Sequence, residues 1–488
     1  MAEYIKVPAG VYDMVTRCME QEFPDHVAIR YVAEDGKTVV EKKYREYAQD
    51  IRRMVAYLKA EVPDIKGRRI VLLSRNCYEF CVASYGIILA GGVLVTLNQK
   101  KNWDELEYEL GLVEPVLILN DGIDYGCRAE LEAAYGPKLR PMDCYKDTAP
   151  GELTNCVGHD DLMMLMFTSG TTGRSKGVML SQKNLFSAMP AFLAPFDDVK
   201  KYTGWNTDEF SSLSALPMFH ISAMTSLVSW SITGHSINLC NNLKYFYRDL
   251  GAMHSEVMAV VPVLLKSIYS DVMKGRRDRL NGLCVLTCGA AMFDPKMLSD
   301  MMEKGFFVAQ MYGLTETCGD GAWNSSQEAK YLTSVGHVDL SCEYKLDDGE
   351  LCMRGDPIML GYYKDPEGTA EVIDADGWFH TGDIARVEED GYMYLTGRKK
   401  NVIILDSGEN VNPEELEKLL VPCADIQECI VKEKDKKICA LIYCDPAKQD
   451  AVKEFVTGVN RGLPLYKRMV TEFSAQPLPR NAMGKLLR

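Results

Sequence analysis

Buried-type strands alternate with helices through the first 400 residues, and this alternation restricts the fold more than any other feature of the sequence. The apolar runs at residues 69–74 and 116–121 are typical of strands that are covered on both faces. A helical stretch, residues 79–89, lies between them. Repeated strand–helix units bring parallel strands into one sheet with helices on its faces. We therefore predict an α/β fold of layered, mostly parallel sheets and helices.

The pattern changes after about residue 340, where short strands and tight turns replace the strand–helix units. Asp390-Gly391 is a hairpin signal, because both residue types accept the backbone angles of a two-residue turn. Asn412 can cap a following helix. We place a domain boundary near Gly397, so that residues 1–397 form a large N-terminal domain and residues 398–488 a small α+β domain.

The composition is that of a soluble globular protein and excludes several functional classes. The formal charge of −14 over 488 residues argues against nucleic-acid binding. The longer apolar stretches contain glycine and are too short for a membrane span, and the N-terminus lacks a secretion signal. The sixteen cysteines and seven histidines include no C-x-x-C or H-x-x-x-H pair. We therefore expect reduced thiols, a cytoplasmic location and no structural zinc site.

A segment rich in glycine and hydroxyl groups, TSGTTGRSK, follows the apolar run at residues 162–167. Small residues let backbone N–H groups approach an anion, the hydroxyls add donors and the lysine adds charge. This chemistry suits the triphosphate of a nucleotide, and a flexible polar loop is the alternative. The P-loop NTPase pattern fails, because counting from Gly170 leaves Ser175 where the second glycine is required. The predicted phosphate-binding residues are Thr168, Ser169, Gly170, Thr171, Thr172, Gly173 and Lys176.

The longer segment TSGTTGRSKGVMLS resembles the phosphate loop of the adenylate-forming superfamily, in which proline usually occupies the position of Ser175. Six further segments resemble motifs of this family in the same order: LPMFH, YGLTE, GELCMRGDPIMLGYY, GWFHTGD, GRKKN and PLPRNAMGKLLR. The acyl-CoA synthetases are the most similar members. The resemblance implies two half-reactions. A carboxylate attacks the α-phosphate of ATP and releases pyrophosphate, and a thiol then attacks the acyl-adenylate and releases AMP.

For the nucleotide site, the resemblance implies that Glu316 holds magnesium, that Asp383 binds the ribose, and that Arg398 contacts ribose and phosphate. A surface glutamate and a turn-forming aspartate are the alternatives for the two acidic residues. Thr168 and Thr315 are expected to contact the phosphates. The other residues implied in nucleotide binding are Gly289, Ala290 and Ala291 on one face of the adenine, Tyr312 on its other face, and Gly313.

For the chemistry, the resemblance implies that Lys485 bridges the substrate carboxylate and the α-phosphate, and that His220 lies at the carboxylate and gates the site. The alternative for Lys485 is a disordered tail, and the alternative for His220 is a core histidine. Thr315 and Glu316 complete the implied catalytic set. Because Lys485 lies in the small domain, this domain is expected to be a mobile lid that closes over ATP and then rotates. The implied hinge residue is Lys400, and the residue implied at the thiol tunnel is Gly408.

The residues that the resemblance assigns to the acyl pocket are mostly apolar and uncharged: His220, Ile221, Met224, Gln310 and Met311. A fatty or aromatic acid therefore fits better than an amino acid, although core packing is an equal alternative for Met224. Coenzyme A is the predicted acceptor. The alternative functions are the loading of an acyl or amino acid onto a carrier protein, and a non-catalytic nucleotide-binding role. A homodimer is left open.

Overall fold

The structure is a computed structural model of the 488-residue chain. The residues that it describes are 6–168, 174–203, 210–289, 293–338, 341–405, 410–434, 436–480 and 486. The predicted site residues outside these ranges are Ser169, Gly170, Thr171, Thr172, Gly173, Ala290, Ala291, Gly408 and Lys485.

The chain folds into strands and helices that alternate as the sequence predicts over most of its length. The helices are α1 (Val11–Asp13), α2 (Tyr44–Glu61), α3 (Tyr78–Ala90), α4 (Trp103–Val113), α5 (Arg128–Tyr135), α6 (Gln182–Leu193), α7 (Pro195–Thr203), α8 (Ile221–Thr233), α9 (Phe246–Ala252), α10 (Pro262–Met273), α11 (Pro295–Glu303), α12 (Pro366–Ala370), α13 (Pro413–Leu420) and α14 (Gln449–Arg461). The strands are β1 (Val27–Val32), β2 (Val39–Lys43), β3 (Arg69–Leu73), β4 (Val93–Thr96), β5 (Leu117–Asn120), β6 (Leu139–Pro141), β7 (Leu162–Thr168), β8 (Lys176–Ser181), β9 (Ser211–Ser214), β10 (Ser236–Leu239), β11 (Val257–Val260), β12 (Val285–Cys288), β13 (Phe307–Gly313), β14 (Gly321–Asn324), β15 (His337–Val338), β16 (Glu343–Asp347), β17 (Glu350–Arg354), β18 (Gly361–Tyr362), β19 (Phe379–Val387), β20 (Met393–Arg398), β21 (Ile403–Ile404), β22 (Asn410–Val411), β23 (Ile426–Lys434), β24 (Lys437–Cys444) and β25 (Val470–Phe473). A π-helix, Met14–Glu22, continues α1.

Two large, mostly parallel sheets confirm the predicted α/β class. The seven-stranded sheet has the order β18-β8-β7-β4-β3-β5-β6, and its strands from β7 to β6 are parallel. The nine-stranded sheet has the order β15-β14-β13-β12-β11-β9-β10-β1-β2, and its strands from β13 to β1 are parallel. Antiparallel strands close the edges at β8, β14 and β2. Strand–helix alternation produces this topology because a parallel pair needs a crossover helix.

The main hydrophobic core surrounds α3, which the sequence predicts as the helix between two buried strands. Every residue of α3 except Glu79 is buried, because the helix is apolar around its whole circumference. The same core includes apolar residues of α2, α6, α8, β4 and β7. Within the described part of the chain, no helix has both the length and the apolar character needed to cross a membrane.

The last third of the chain forms smaller, mostly antiparallel sheets, as the change in sequence pattern predicts. One sheet has the order β16-β17-β19-β20, and the tight turn between its last two strands contains Asp390 and Gly391. The three-stranded sheet β23-β24-β25 packs with α13 and α14 around a separate core. The helix α13 begins after Asn412 as predicted, although the Asn412 side chain makes no capping hydrogen bond. Among the described residues, the buried members of this separate core all follow Arg398, from Ile403 onward.

Candidate active site

The two ends of the predicted phosphate loop are held together by the antiparallel pair β7 and β8. Thr168 is the last residue of β7 and Lys176 the first residue of β8, and the two are direct cross-strand partners. Most apolar residues of β7 and β8 are buried in the sheet, so the two ends of the loop are fixed in a rigid base. Its five inner residues lie outside the described residues, and their predicted role stays a prediction.

Lys176 contacts residues on and just after β18, the strand that pairs with β8. Its Nζ lies 4.5 Å from the centre of the Tyr362 ring and 3.4 Å from a carboxylate oxygen of Asp365. The Tyr362 hydroxyl in turn donates a hydrogen bond to Oε1 of Glu316 at 3.0 Å. The structure therefore joins the predicted phosphate lysine to the predicted magnesium carboxylate through one aromatic side chain, which the sequence reasoning missed.

Glu316 is a half-buried carboxylate in the short 3-10 turn Thr315–Thr317, directly after β13. Burial raises the pKa of Glu316, and the hydrogen bond from Tyr362 opposes this shift. The described residues provide it with no ion-pair partner within 4 Å. A carboxylate that is partly removed from water and has no cation beside it is unfavourable, and a hard divalent cation with oxygen ligands would relieve that cost. The donor type and the burial of Glu316 thus fit a magnesium ion. Thr315, its neighbour, is half-buried.

Asp383 and Arg398 meet across the hairpin formed by β19 and β20. They are cross-strand partners, and Nε of Arg398 lies 2.7 Å from Oδ1 of Asp383. The Tyr312 hydroxyl, from β13, donates to Oδ2 of Asp383 at 2.6 Å. Arg398 also donates to the Thr381 carbonyl at 3.1 Å. A buried carboxylate is thus held by a cation and a phenol from separate strands, which fixes its orientation.

The predicted adenine and acyl residues lie where β12 and β13 end side by side. Cys288 and Gln310 are partners across this parallel pair, and Gly289 follows at the end of β12. A Cβ at Gly289 would lie 3.6 Å from the Met311 carbonyl oxygen, which is ordinary contact. A Cβ at Gly313 would lie 2.1 Å from a backbone oxygen of Gly319, so only glycine fits there. The Gln310 amide donates to the Leu332 carbonyl at 2.8 Å.

His220 precedes α8, and its backbone carbonyl accepts the first hydrogen bonds of that helix. Burial, together with the nearby Lys101 cation, lowers the pKa of His220 to about 4, so the imidazole is neutral at physiological pH. The next helical residues face the core: Ile221 is buried, and Met224 is 1% exposed within the main hydrophobic cluster. A cavity of about 20 Å³ beside Ser222 holds no more than a water molecule.

Glu109 is a second residue that the sequence reasoning missed. Its side chain is fully buried on α4, where it forms an ion pair with Lys101 and accepts a hydrogen bond from Oγ of Ser175 at 2.5 Å. Burial raises the pKa of Glu109, while Lys101 and Ser175 oppose the shift. Two signals could have revealed this contact. Glu109 falls at a helical spacing from Leu106 on the apolar face of α4, and a serine replaces the usual proline.

Lys400 lies in the short turn Lys399–Asn401 that follows β20. A cleft of about 660 Å³ opens at the carboxyl ends of β3 and β5, but none of the predicted site residues lines it. The structure therefore brings the described site residues together in two groups, one around Lys176 and Glu316 and one around Tyr312 and Asp383. The parallel strand β13 and the turn after it connect the two, because Tyr312 and Glu316 are four residues apart.

Comparison with known proteins identifies the family to which the chain belongs. A long-chain-fatty-acid–CoA ligase from Mycobacterium tuberculosis is 27% identical and covers 91% of this chain and 93% of its own. A 2-succinylbenzoate–CoA ligase from Bacillus licheniformis is 28% identical and covers 95% and 96%. The structure of o-succinylbenzoate CoA synthetase from Bacillus subtilis with an acyl-adenylate intermediate superimposes with a TM-score of 0.81 at 25% identity, covering 97% of this chain and 96% of that one. The sequence model of the AMP-binding enzymes matches residues 17–363, and the chain therefore belongs to the AMP-binding enzyme family.

Proposed function

We propose that the protein is an ATP-dependent ligase that joins a carboxylic acid to coenzyme A through an acyl-adenylate. The observation that carries this proposal is that Tyr362 links Glu316, a half-buried carboxylate, to Lys176 at the base of the phosphate loop. An acid and ATP are both anions, so their reaction requires a site that gathers positive charge at the phosphates. Similarity to several acid–CoA ligases over nearly the whole chain supports the same reaction.

On the phosphate side, Lys176 and Thr168 bind the triphosphate with the loop between them. Lys176 already lies over the Tyr362 ring, so little side-chain entropy is lost when it turns to a phosphate. Glu316 would hold magnesium, which when bound screens the phosphate charge and orients the pyrophosphate leaving group. One related structure, o-succinylbenzoate CoA synthetase from Bacillus subtilis, contains ATP and a magnesium ion, at 25% identity and a TM-score of 0.78.

On the ribose side, Asp383 accepts hydrogen bonds from the ribose hydroxyls. An ionised carboxylate has lone pairs for several donors, so Tyr312 and Arg398 can orient it while the ribose binds. Arg398, which is the ion-pair partner of Asp383, is proposed to contact the α-phosphate as well. This pre-oriented carboxylate reduces the entropy that nucleotide binding would otherwise cost.

The small C-terminal unit, residues 398–488, is proposed to act as the lid. Its separate hydrophobic core, which begins at Ile403, supports independent movement about the turn that contains Lys400. Closure would bring Lys485 to the carboxylate and the α-phosphate for adenylation, and rotation would bring Gly408 to the thiol tunnel. A neutral His220 can lie beside the substrate carboxylate without forming an ion pair with it, and it can move aside when the thiol arrives.

The acid is proposed to be a fatty or aromatic carboxylic acid. The residues at the start of α8 are apolar or small, and none of those described there carries a charge that would pair with an α-amino group. The curated relatives named above act on a long-chain fatty acid and on 2-succinylbenzoate, which span both types of acid.

The test is a panel of carboxylic acids assayed for AMP and pyrophosphate, with and without coenzyme A. A fatty or aromatic acid should yield AMP and a thioester only when coenzyme A is present. Lys485→Ala should abolish acid-dependent ATP–pyrophosphate exchange but spare thioester formation from a preformed acyl-adenylate. Lys453→Ala, which removes an exposed lysine of α14, is the control and should retain exchange. Unchanged exchange in Lys485→Ala, or no AMP from any acid, would contradict the proposal.

A further inference from the structure

Three potential metal ligands converge on the four-stranded sheet, away from Glu316. Cys352 on β17 and His380 on β19 are cross-strand partners, and Sγ of Cys352 lies 3.4 Å from Nδ1 of His380. Asp347 ends β16 beside the turn into β17. The thiol sulfur, an imidazole nitrogen and a carboxylate oxygen of these three residues all lie within 4.8 Å of one another.

The orientation of Cys352 distinguishes it from an ordinary core cysteine. Its neighbours along β17, Leu351 and Met353, point into the main hydrophobic core. Because side chains alternate along a strand, Cys352 points to the opposite face, where it contacts His380 and lies beside Glu350. A thiol that packed only as a small hydrophobic group would gain more on the apolar face. Its polar surroundings therefore suggest a role that depends on the sulfur as a ligand.

The charges around the cluster favour a cation with ligands of this type. Oε2 of Glu350 lies 3.1 Å from the same His380 nitrogen, so it can serve as a fourth ligand or give way to water. Lys399 forms an ion pair with Glu350 at 2.7 Å, which offsets part of the negative charge of the cluster. His380 is partly exposed and Asp347 exposed, so the cluster has an open side through which an ion can enter.

We propose that Cys352, His380 and Asp347 form a binding site for Zn²⁺ or a similar borderline-soft divalent ion. Thiolate, imidazole and carboxylate together are the donor set of tetrahedral zinc sites, whereas magnesium prefers oxygen ligands alone. The site is thus chemically distinct from the one at Glu316, and it does not depend on the ligase activity. Binding replaces the thiol proton by the metal ion and releases that proton to solvent.

The test uses the full-length protein after chelator treatment, titrated with Co²⁺ as a spectroscopic probe for Zn²⁺. One equivalent of Co²⁺ should produce a thiolate-to-cobalt charge-transfer band and the visible bands of a tetrahedral ion, and Zn²⁺ should remove both. Cys352→Ser should abolish the charge-transfer band. His380→Gln and Asp347→Asn should weaken binding by at least about tenfold. Cys423→Ser, which changes a half-buried cysteine on the small unit, should leave the titration unchanged.

A wild-type protein without the charge-transfer band at one equivalent would overturn the proposal, as would an undiminished band in Cys352→Ser. If circular dichroism shows that Cys352→Ser does not fold, Asp347→Asn decides the question. Asp347 is exposed, so its substitution preserves the fold, and unchanged affinity in that variant would refute the site.

Discussion

Replacing Glu316 by glutamine should stabilise the folded protein while it removes the ligase activity. Glu316 is a half-buried carboxylate that receives a hydrogen bond from Tyr362 and has no ion-pair partner within 4 Å among the described residues. Glutamine has nearly the same shape, and its carbonyl can still accept the Tyr362 hydrogen bond. The substitution Glu316→Gln therefore removes the charge and leaves the packing in place.

The magnitude follows from two opposing contributions. Burying an unpaired charge costs several kcal/mol even after relaxation. Against this, the Tyr362 hydrogen bond weakens by about 1 kcal/mol when its acceptor becomes neutral. Functional groups of this kind typically cost the fold about 0.5–2 kcal/mol, and we expect a net gain in that range. In a domain of this size, such a gain corresponds to a rise in Tm of roughly 1–4 °C.

The pH dependence has a definite sign. Because burial raises the pKa of Glu316, the folded protein holds this proton more tightly than the unfolded chain does. The wild type therefore loses stability as pH rises from the unfolded value toward the folded value. The advantage of Glu316→Gln should be near zero below the unfolded value and complete above the folded value.

The assay is differential scanning fluorimetry of the nucleotide-free wild type and variant across this pH range, together with magnesium-dependent pyrophosphate release. Glu371→Gln, which changes an exposed glutamate, is the control and should shift neither measurement. The variant should lose at least about 100-fold in kcat/KM, because it cannot hold the cation that stabilises the transition state. A lower Tm in Glu316→Gln at high pH would refute the reasoning about burial, and full activity would refute the assignment of magnesium.

Three further predictions follow from other contacts in the site. Tyr312→Phe keeps the ring but removes the hydrogen bond to Asp383, so urea unfolding should show a free energy of unfolding lower by about 1.5–3 kcal/mol. The KM for ATP should rise less in this variant than in Tyr312→Ala, which also removes the ring. Ser175→Ala should lower the free energy of unfolding by about 1–2 kcal/mol, and Tm with it, because buried Glu109 loses a hydrogen-bond donor. An unchanged Tm would contradict this expectation. The pKa of His220, lowered to about 4 by burial, should produce no inflection in kcat/KM between about pH 5 and 8, and the profile of His220→Gln should have the same shape.

Contacts set by local backbone geometry were predictable from the sequence. The predicted turn at Asp390-Gly391 lies between Asp383 and Arg398, and the structure pairs these two residues at 2.7 Å. The reason is that the position of a tight turn determines the register of both flanking strands. In the same way, the two apolar runs around the phosphate loop pair so that Thr168 faces Lys176.

Contacts between distant segments were not predictable in this way. Tyr362 joins Lys176 to Glu316 only because the antiparallel strand β18 pairs with β8 and not with its neighbours in sequence. A single sequence contains no signal for that edge pairing. The cluster of Cys352 and His380 was likewise invisible to spacing rules, since the two residues are 28 positions apart and meet only across β17 and β19.

The direction of side chains was the second feature of the site that the sequence could not predict. The sequence indicated that Tyr312 lies at the nucleotide, but not that its hydroxyl donates to Asp383. Met224 was open to two interpretations, and its 1% exposure within the main core favours packing in this conformation. Direction depends on how neighbouring elements pack, and periodicity along one helix or strand cannot supply that information.

The arrangement around Asp383 explains why the site needs three separate segments. A carboxylate at the end of a strand can rotate, and a rotating acceptor would lose much of its value for positioning a ribose. Arg398 from the next strand and Tyr312 from the large parallel sheet each bind one of its oxygens, so rotation about the side-chain bonds is restricted from two directions. Tyr312 also belongs to the segment that leads to Glu316, so the orientation of Asp383, the proposed ribose ligand, depends on the same segment as that of the proposed metal ligand. A change that moves β13 should therefore disturb both functions together, which a site built on independent loops would not show.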